Sequence, residues 1–167
     1  MRGIRLHPNY HGYKLESAEF AKLLRRAAER HLVVQLAVIM EDERMMHPLL
    51  RVPQVDTASL ARLIKDTPSL RLVLVNALGV LREPALNELI AAGEVYVEIS
   101  MLESVAGIEK LLQQVPLERI LFGSHAPLFY FESALLKLKE SVLTQEQLKA
   151  IQAGNAQRLM TSMRDRA

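Results

Sequence analysis

The sequence predicts an α/β fold in which parallel strands alternate with helices. Short apolar runs recur along the 167 residues, and each is followed by a stretch whose apolar residues repeat with the period of a helix. Five such units of roughly 30 residues fit the chain. Because a strand followed by a helix returns to the sheet by a right-handed crossover, the strands are expected to be parallel.

The predicted strands are apolar runs that end at polar or turn-forming residues. The first ends at the His7-Pro8 pair, because proline has no amide proton for a strand ladder. The five predicted strands are Gly3 to Leu6, Leu32 to Ile39, Leu70 to Val75, Val95 to Ile99, and Arg119 to Phe122.

The predicted helices have recognisable boundary residues. They begin near Ser17, at Asp56 or Thr57, at Pro84, at Ser104, at Glu132 and at Thr144, and Gly154 followed by Asn155 predicts the end of one helix and the start of another. Thr144 and Gln147 have the spacing of a capping box. Met40 to Val55 is the longest connection and has the charge and length of a binding loop.

Two architectures are compatible with five strand-helix units. One is a free-standing doubly wound sheet, which fits the length of 167 residues. The other is part of an eight-stranded barrel, which typically needs about 250 residues. In either case the carboxyl ends of the strands are where a ligand site is expected.

The composition excludes several classes of protein. The net charge of +2 comes from scattered basic and acidic residues, so no nucleic-acid partner is expected. The absence of cysteine excludes a disulfide framework and thiolate chemistry. The amino-terminal sequence MRGIRLHPNY has no apolar signal region, and no run reaches the ~18 apolar residues of a membrane span. We therefore expect a single cytoplasmic domain over residues 1–167 that acts on a small molecule, with no membrane partner.

Several segments resemble the carboxyl-terminal part of the amidohydrolase-related family. They are GIRLHPNYHGYKL, LRLVLVNAL, RILFGSHAPLFYFESALLKL and LTQEQLKAIQAGNAQRLM. The resemblance covers nearly the whole chain, and its most specific parts are the ILFGS-x-AP strand exit and the terminal GNAxRL helix. It implies the carboxyl-terminal five βα units of a TIM (β/α)8 barrel, strands four to eight, and a hydrolase or decarboxylase that is usually metal dependent.

The resemblance also implies a divalent metal, with zinc as the expected ion, and the chain departs from the family at the ligand positions. The fifth-strand histidine of the family falls at Ala37, the sixth-strand histidine at Asn76, and the last-strand aspartate at His125. Alanine cannot ligate a metal, and an amide is a weak ligand beside imidazole. His125 could ligate a metal or carry a proton, but it cannot replace the aspartate as a low-pKa proton acceptor.

Candidate site residues follow from the strand ends and their loops. Strand ends that face one pocket would bring together His7, Asn76, Glu98 or Ser100, and Ser124 with His125, and imidazoles near carboxylates can form an acid/base or a nonstandard metal site. Arg44 suits a bidentate contact with a substrate carboxylate. The candidate catalytic residues are His125, His7 and Asn76; the candidate substrate-binding residues are Arg44, His11, Glu41, His47 and Ser124; the candidate metal ligands are His125 and His7.

Three hypotheses on function remain. The first is a hydrolase or decarboxylase of a small carboxylic acid, amide or lactone. The second is a catalytically silent barrel that binds a ligand or partner and has lost its metal site. The third is a fragment without independent function, in which about three barrel units are missing. A partial barrel has an open strand edge and an exposed apolar interior, so the chain alone is expected to self-associate.

Overall fold

A computed structural model describes residues 2–161 of the chain, and the structural statements below concern this part. Five strands alternate with helices, which confirms the α/β prediction. The strands are β1 (Gly3–Leu6), β2 (Val33–Ala37), β3 (Arg71–Val75), β4 (Glu94–Glu98) and β5 (Ile120–Leu121). The helices are α1 (Ala18–Glu29), α2 (Leu60–Lys65), α3 (Ala85–Ala92), α4 (Gly107–Leu112), α5 (Phe131–Glu140), α6 (Gln145–Lys149) and α7 (Asn155–Thr161).

The strand order distinguishes the two architectures that the sequence left open. The order in the sheet is β1-β2-β3-β4-β5, and every neighbouring pair is parallel. A doubly wound sheet reverses its order at a switch point and carries helices on both faces. The sequential order here is that of consecutive units of an α/β barrel. The doubly wound sheet was the wrong alternative, and the fold is a partial barrel.

The two faces of the sheet have different coverings. The outer face packs against α1 to α5 in one large core, with strand residues such as Leu36, Leu74 and Val97 at its centre. The inner face carries a smaller apolar cluster, in which Leu159 of α7 is the member that comes from outside the strands. That cluster consists of Val33, Val73, Val75, Tyr96, Leu121 and Leu159.

Predicted helix caps agree with the structure at two helices. The Ser17 hydroxyl accepts a hydrogen bond from the Phe20 amide at 3.1 Å, and Thr144 and Gln147 form the predicted capping box. The cap predicted for α2 was wrong. The Asp56 carboxylate accepts a hydrogen bond from the Ala58 amide in a separate turn, so the helix begins only at Leu60.

The carboxyl-terminal region departs from the prediction in two ways. β5 contains only Ile120 and Leu121, because the Phe122 amide donates to the Ile151 carbonyl at 3.0 Å and not to a neighbouring strand. The helix expected to end at Gly154 instead continues through a π-helical turn into α7. The two differences are linked, since the π-helical turn covers the edge that a longer β5 would use.

The outer edge of β1 has no strand partner within residues 2–161. We expect a polypeptide of residues 1–167, expressed alone, to self-associate through this edge and the inner face. Analytical ultracentrifugation measures the result. A monodisperse 18.8 kDa monomer with a sharp melting transition would contradict the prediction.

None of the helices in the described part of the chain is both long and apolar enough to cross a membrane.

Candidate active site

Polar residues from three neighbouring strands meet at the carboxyl edge of the sheet. Asn76 follows β3, Glu98 is the last residue of β4, Ser100 lies two residues further on, and His125 follows β5. The ends of adjacent parallel strands lie side by side, which explains why residues so distant in sequence are close here. Asn76, Glu98 and Ser100 are buried.

The Glu98 carboxylate is the centre of this group. Its Oε1 accepts a hydrogen bond from the Asn76 backbone amide at 2.7 Å, and its Oε2 accepts one from the Ser100 backbone amide at 2.8 Å. The Ser100 hydroxyl lies 2.8 Å from Oε1 of Glu98 and 3.0 Å from Oδ1 of Asn76. A buried carboxylate needs such partners to offset the loss of its hydration. Glu98 therefore fixes the positions of the two strand ends beside it.

Gly123 provides the space that Glu98 occupies. A Cβ atom at position 123 would lie 1.8 Å from Oε2 of Glu98 and 2.7 Å from its Cδ. The glycine is needed for close approach and not for an unusual backbone angle, because its φ lies outside the left-handed region. The G of the ILFGS segment thus has a steric role at the site.

Asn76 and His125 both have left-handed backbone conformations, with φ of 55° and 53°. Such angles are uncommon outside glycine, and asparagine and histidine are among the residues that adopt them most readily. Strained conformations of this kind are frequent at functional sites. Here the two residues lie side by side, with Nδ2 of Asn76 3.5 Å from Nε2 of His125.

The Asn76 amide has a defined orientation. Its Oδ1 faces the Ser100 hydroxyl, and its Nδ2 donates to the carbonyls of Ile39 and Met40, each at 3.2 Å. Nδ2 also lies 3.5 Å from Nε2 of His125. Because the Nδ2 group has two protons and both are directed at these carbonyls, its approach to Nε2 is a close polar contact that keeps the His125 ring beside Asn76.

Lys137 of α5 supports the turn after β4. Its ammonium donates to the Ile99 carbonyl at 3.1 Å and to the Ser100 carbonyl. Burial lowers the pKa of Lys137, and the nearby Glu98 and other carboxylates act in the opposite direction. Sequence reasoning missed this residue, because nothing in the periodicity of α5 indicates that one lysine points inwards.

A cavity of about 470 Å³ opens on the inner face beside these residues. Its wall is apolar along Val73, Val75 and Leu121, and Leu159 and other residues of α7 border it. Its polar lining consists of Arg5, Gln35, Asn76, Glu98, Ser100, Ser124 and His125. The volume is suitable for a small molecule.

Two of the other predicted histidines, His7 and His11, lie in the segment after β1, outside the lining of this cavity. Nδ1 of His7 is 3.1 Å from the Met40 sulfur, and the His7 and His11 ring centres are 6.2 Å apart. Burial lowers the pKa of His7, and the charges of Arg5, His11 and His125 lower it further. His7 is thus within electrostatic reach of His125, whereas His11 is exposed and packs between tyrosine rings.

Arg44 already has two carboxylate partners. Its guanidinium binds Asp42, with Nε 2.9 Å from Oδ1, and Nη2 lies 3.2 Å from Oε1 of Glu103. The bond from Arg44 lowers the pKa of Asp42. The Arg44 side chain is 74% exposed and lies outside the lining of the cavity. Its predicted contact with a substrate carboxylate therefore has no support from its placement.

The remaining predicted residues are also only partly gathered at the site. Ser124 lines the cavity, and its hydroxyl accepts a hydrogen bond from the Ala126 amide at 3.3 Å. Glu41 and His47 lie on the long loop after β2, and neither lines the cavity. The ring of His47 accepts a hydrogen bond from the Leu49 amide. The roles assigned to these three residues stay predictions.

The donor set at the strand ends does not fit the divalent metal that the resemblance implies. No group of three histidine, aspartate or glutamate side chains within residues 2–161 is arranged to hold a metal ion. Ala37, at the end of β2, presents a methyl group, and the NH₂ of Asn76 donates to the Ile39 and Met40 carbonyls while its Oδ1 faces the Ser100 hydroxyl. The carboxylate of Glu98 is already bound by two backbone amides. No step through a metal is therefore derived for these residues.

Five sequential parallel strands with a polar cavity at their carboxyl ends define this chain as part of an α/β-barrel protein with the usual location of the barrel active site. The chain belongs to the amidohydrolase family, because the family model described as "Amidohydrolase" matches residues 1–160. No match was found among the curated proteins.

Solved structures of similar fold include three related proteins. Amidohydrolase 2 from Bifidobacterium longum subsp. infantis is 19% identical with a TM-score of 0.68, over 95% of this chain and 60% of that one. Another is a dihydroxybenzoic acid decarboxylase from a Polaromonas species, solved with bound manganese and the inhibitor 2-nitroresorcinol. It is 15% identical with a TM-score of 0.65, and the match covers 93% of this chain and 57% of that one. A 5-carboxyvanillate decarboxylase from Sphingomonas paucimobilis is 11% identical with a TM-score of 0.67, and the match covers 96% of this chain and 58% of that one. The chain thus spans about three fifths of the length of these proteins.

Proposed function

We propose that this chain contributes the active site of a hydrolase or decarboxylase that acts on a small carboxylic acid, amide or lactone in the inner-face cavity. His125 is the proton-transfer residue of the proposal. The observation that carries it is the 3.5 Å contact between Nδ2 of Asn76 and Nε2 of His125 at the wall of the cavity. The family and its decarboxylase neighbours support the reaction class.

The surroundings of His125 are suited to moving a proton. Its ring packs edge-on against Phe129, with 5.1 Å between ring centres, and this contact limits rotation of the imidazole. Asn76 is itself held by bonds to the carbonyls of Ile39 and Met40, so it positions His125 from a rigid support. A neutral imidazole at a cavity wall can accept a proton from a bound substrate and return it later in the reaction.

A second candidate function is ligand binding without catalysis. Its support is that alanine and asparagine stand at positions 37 and 76, where the resemblance implies histidines, and that the Glu98 carboxylate is bound by backbone amides. In that case the cavity would hold a small molecule, and His125 would provide only a hydrogen bond. The two candidates differ in whether bound substrate is converted.

The test is turnover of a panel of small carboxylic acids, amides and lactones by the protein purified with whatever sequence naturally flanks this chain. We expect His125→Gln to lower kcat by about 100-fold or more, as for the loss of a general acid/base. Arg25→Gln, on the exposed side of α1, is the matched control. Binding without conversion, or conversion that is unchanged in His125→Gln, would overturn the catalytic proposal.

Metal content provides an independent check. Elemental mass spectrometry of the same protein and of His125→Ala measures whether His125 holds an ion. We expect the content to be unaffected by the substitution, because the residues at these strand ends do not form a donor set for a metal. If the wild-type protein contains a stoichiometric metal that the variant lacks, His125 is a ligand of an unorthodox metal site and not the proton-transfer residue.

A further inference from the structure

We infer that Arg5 is the carboxylate anchor of the cavity, and that its ligand is a small carboxylic acid with a compact apolar body and a second polar group. This inference rests on the proposed function, because it concerns the same cavity. It assigns to β1 the contact with the carboxylate that the sequence had suggested for Arg44.

The register of the sheet places Arg5 on the inner face. Arg5 pairs with Gln35, Gln35 with Val73, and Val73 with Tyr96. Val73 and Tyr96 belong to the inner-face apolar cluster, and pleating keeps paired residues on one face of a sheet. Arg5 therefore points to the same side as the apolar wall of the cavity, which it lines.

The guanidinium of Arg5 is only partly used. Its Nε donates to Oε1 of Gln35 at 2.7 Å, which fixes the direction of the side chain. Its two terminal nitrogens make no hydrogen bond or ion pair with the rest of the described chain. A guanidinium held through Nε presents its terminal nitrogens as a planar fork that matches a carboxylate. Arg44, by contrast, already has the carboxylates of Asp42 and Glu103 as partners.

The cavity has one cationic wall and one imidazole wall. Arg5 and His125 come from the two ends of the strand order, β1 and the loop after β5, yet both line the same cavity of about 470 Å³. The wall between them includes the apolar Val73 and Val75, with Gln35 beside Arg5 and Asn76 beside His125. A carboxylate on Arg5 would therefore lie across the cavity from His125. It follows that the group facing His125 is a second polar group of the ligand, such as an amide, lactone or further carboxylate.

The experiment compares benzoate with benzamide, which has nearly the same shape without the charge, as probes of the cavity in the protein with its natural flanking sequence. Binding is measured by NMR titration for wild type, Arg5→Gln, Arg5→Lys, Arg44→Gln and the control Arg25→Gln. We expect benzoate to bind wild type in the millimolar range and roughly ten-fold more weakly to Arg5→Gln. We expect Arg5→Lys to be intermediate, because it keeps the charge without the planar fork.

Benzamide binding should not depend on Arg5, since the amide has no charge for the guanidinium to recognise. Because Arg5 is exposed at the edge of the sheet, its substitution should leave the fold intact. A thermal melt of each variant verifies this. Equal affinity of Arg5→Gln and wild type for benzoate would overturn the assignment. Loss of benzoate affinity in Arg44→Gln but not in Arg5→Gln, or no saturable benzoate binding by wild type, would also overturn it.

The outcome is separable from that of the proposed function. Arg5-dependent benzoate binding in a protein that converts no substrate would support the anchor and contradict the catalytic role of His125. Turnover that requires His125 but is indifferent to Arg5→Gln would contradict the anchor and leave the catalytic proposal intact.

Discussion

Replacing Gly123 with alanine is expected to lower the free energy of unfolding by about 4 kcal/mol. The new Cβ would lie 1.8 Å from Oε2 of Glu98, a distance at which the two atoms overlap. Glu98 is buried and bonded to the strand ends through Asn76 and Ser100, so it cannot rotate away without leaving donors unpaired. Urea denaturation followed by circular dichroism measures the change.

A double-mutant cycle tests the cause of this loss. Glu98→Ala removes the overlapping carboxylate. The free energy of unfolding of the double variant, Glu98→Ala with Gly123→Ala, should therefore exceed the value expected from the sum of the two single losses by at least about 1 kcal/mol. Gly79→Ala is the matched control, because a Cβ there meets the mobile end of Met101 at 3.3 Å. Additive effects of the two substitutions would show that the steric explanation is incorrect.

Asn155→Ala is expected to lower the free energy of unfolding by about 3 kcal/mol. The buried amide donates to the Leu117 carbonyl at 2.7 Å and to the Ile120 carbonyl at 2.6 Å. These bonds attach the start of α7 to the start of β5, and alanine would leave both carbonyls without that donor. Thermal and urea unfolding of the variant measure the loss.

The chemistry of the side chain provides the control for Asn155. Asn155→Asp keeps the shape but turns an oxygen towards the two carbonyls, so it should be at least as destabilising as alanine. Gln152→Ala, at an exposed position in the π-helical turn (Ala150–Gly154) that precedes Asn155, should change the stability by less than about 0.5 kcal/mol. An aspartate variant as stable as wild type would contradict the assigned hydrogen bonds.

Much of the fold could be predicted from local patterns. Buried parallel strands are mainly apolar, and the apolar residues 72–75 of β3 are why the region of this strand could be identified closely. Patterns of this kind do not contain the strand order; the resemblance to the family implied a partial barrel, and the pairing of the strands confirmed it. The length of β5 was overestimated because the contact between Phe122 and Ile151 is a long-range feature.

The candidate site was predictable where a side chain stands directly at a strand end. Asn76, Ser124 and His125 were placed at one cavity by that reasoning. Arg5 was overlooked because its inward position follows from its pairing with Gln35 and from the pairing of Gln35 with Val73, and the local pattern of β1 does not contain this register. The role of Arg44 stays a prediction, and its suitability as a carboxylate anchor depends on whether Asp42 and Glu103, its partners in the structure, release it.

The left-handed backbone at positions 76 and 125 limits how this site can diverge. The residue types that tolerate such an angle best, apart from glycine, are asparagine, aspartate and histidine, which are the same types that bind metals or transfer protons. The histidine and the aspartate that the resemblance implies at positions 76 and 125 belong to this small set, as do the asparagine and the histidine present here. The loop geometry can therefore persist while its ligand chemistry is exchanged, so the shape of the loops in this fold does not by itself determine the reaction.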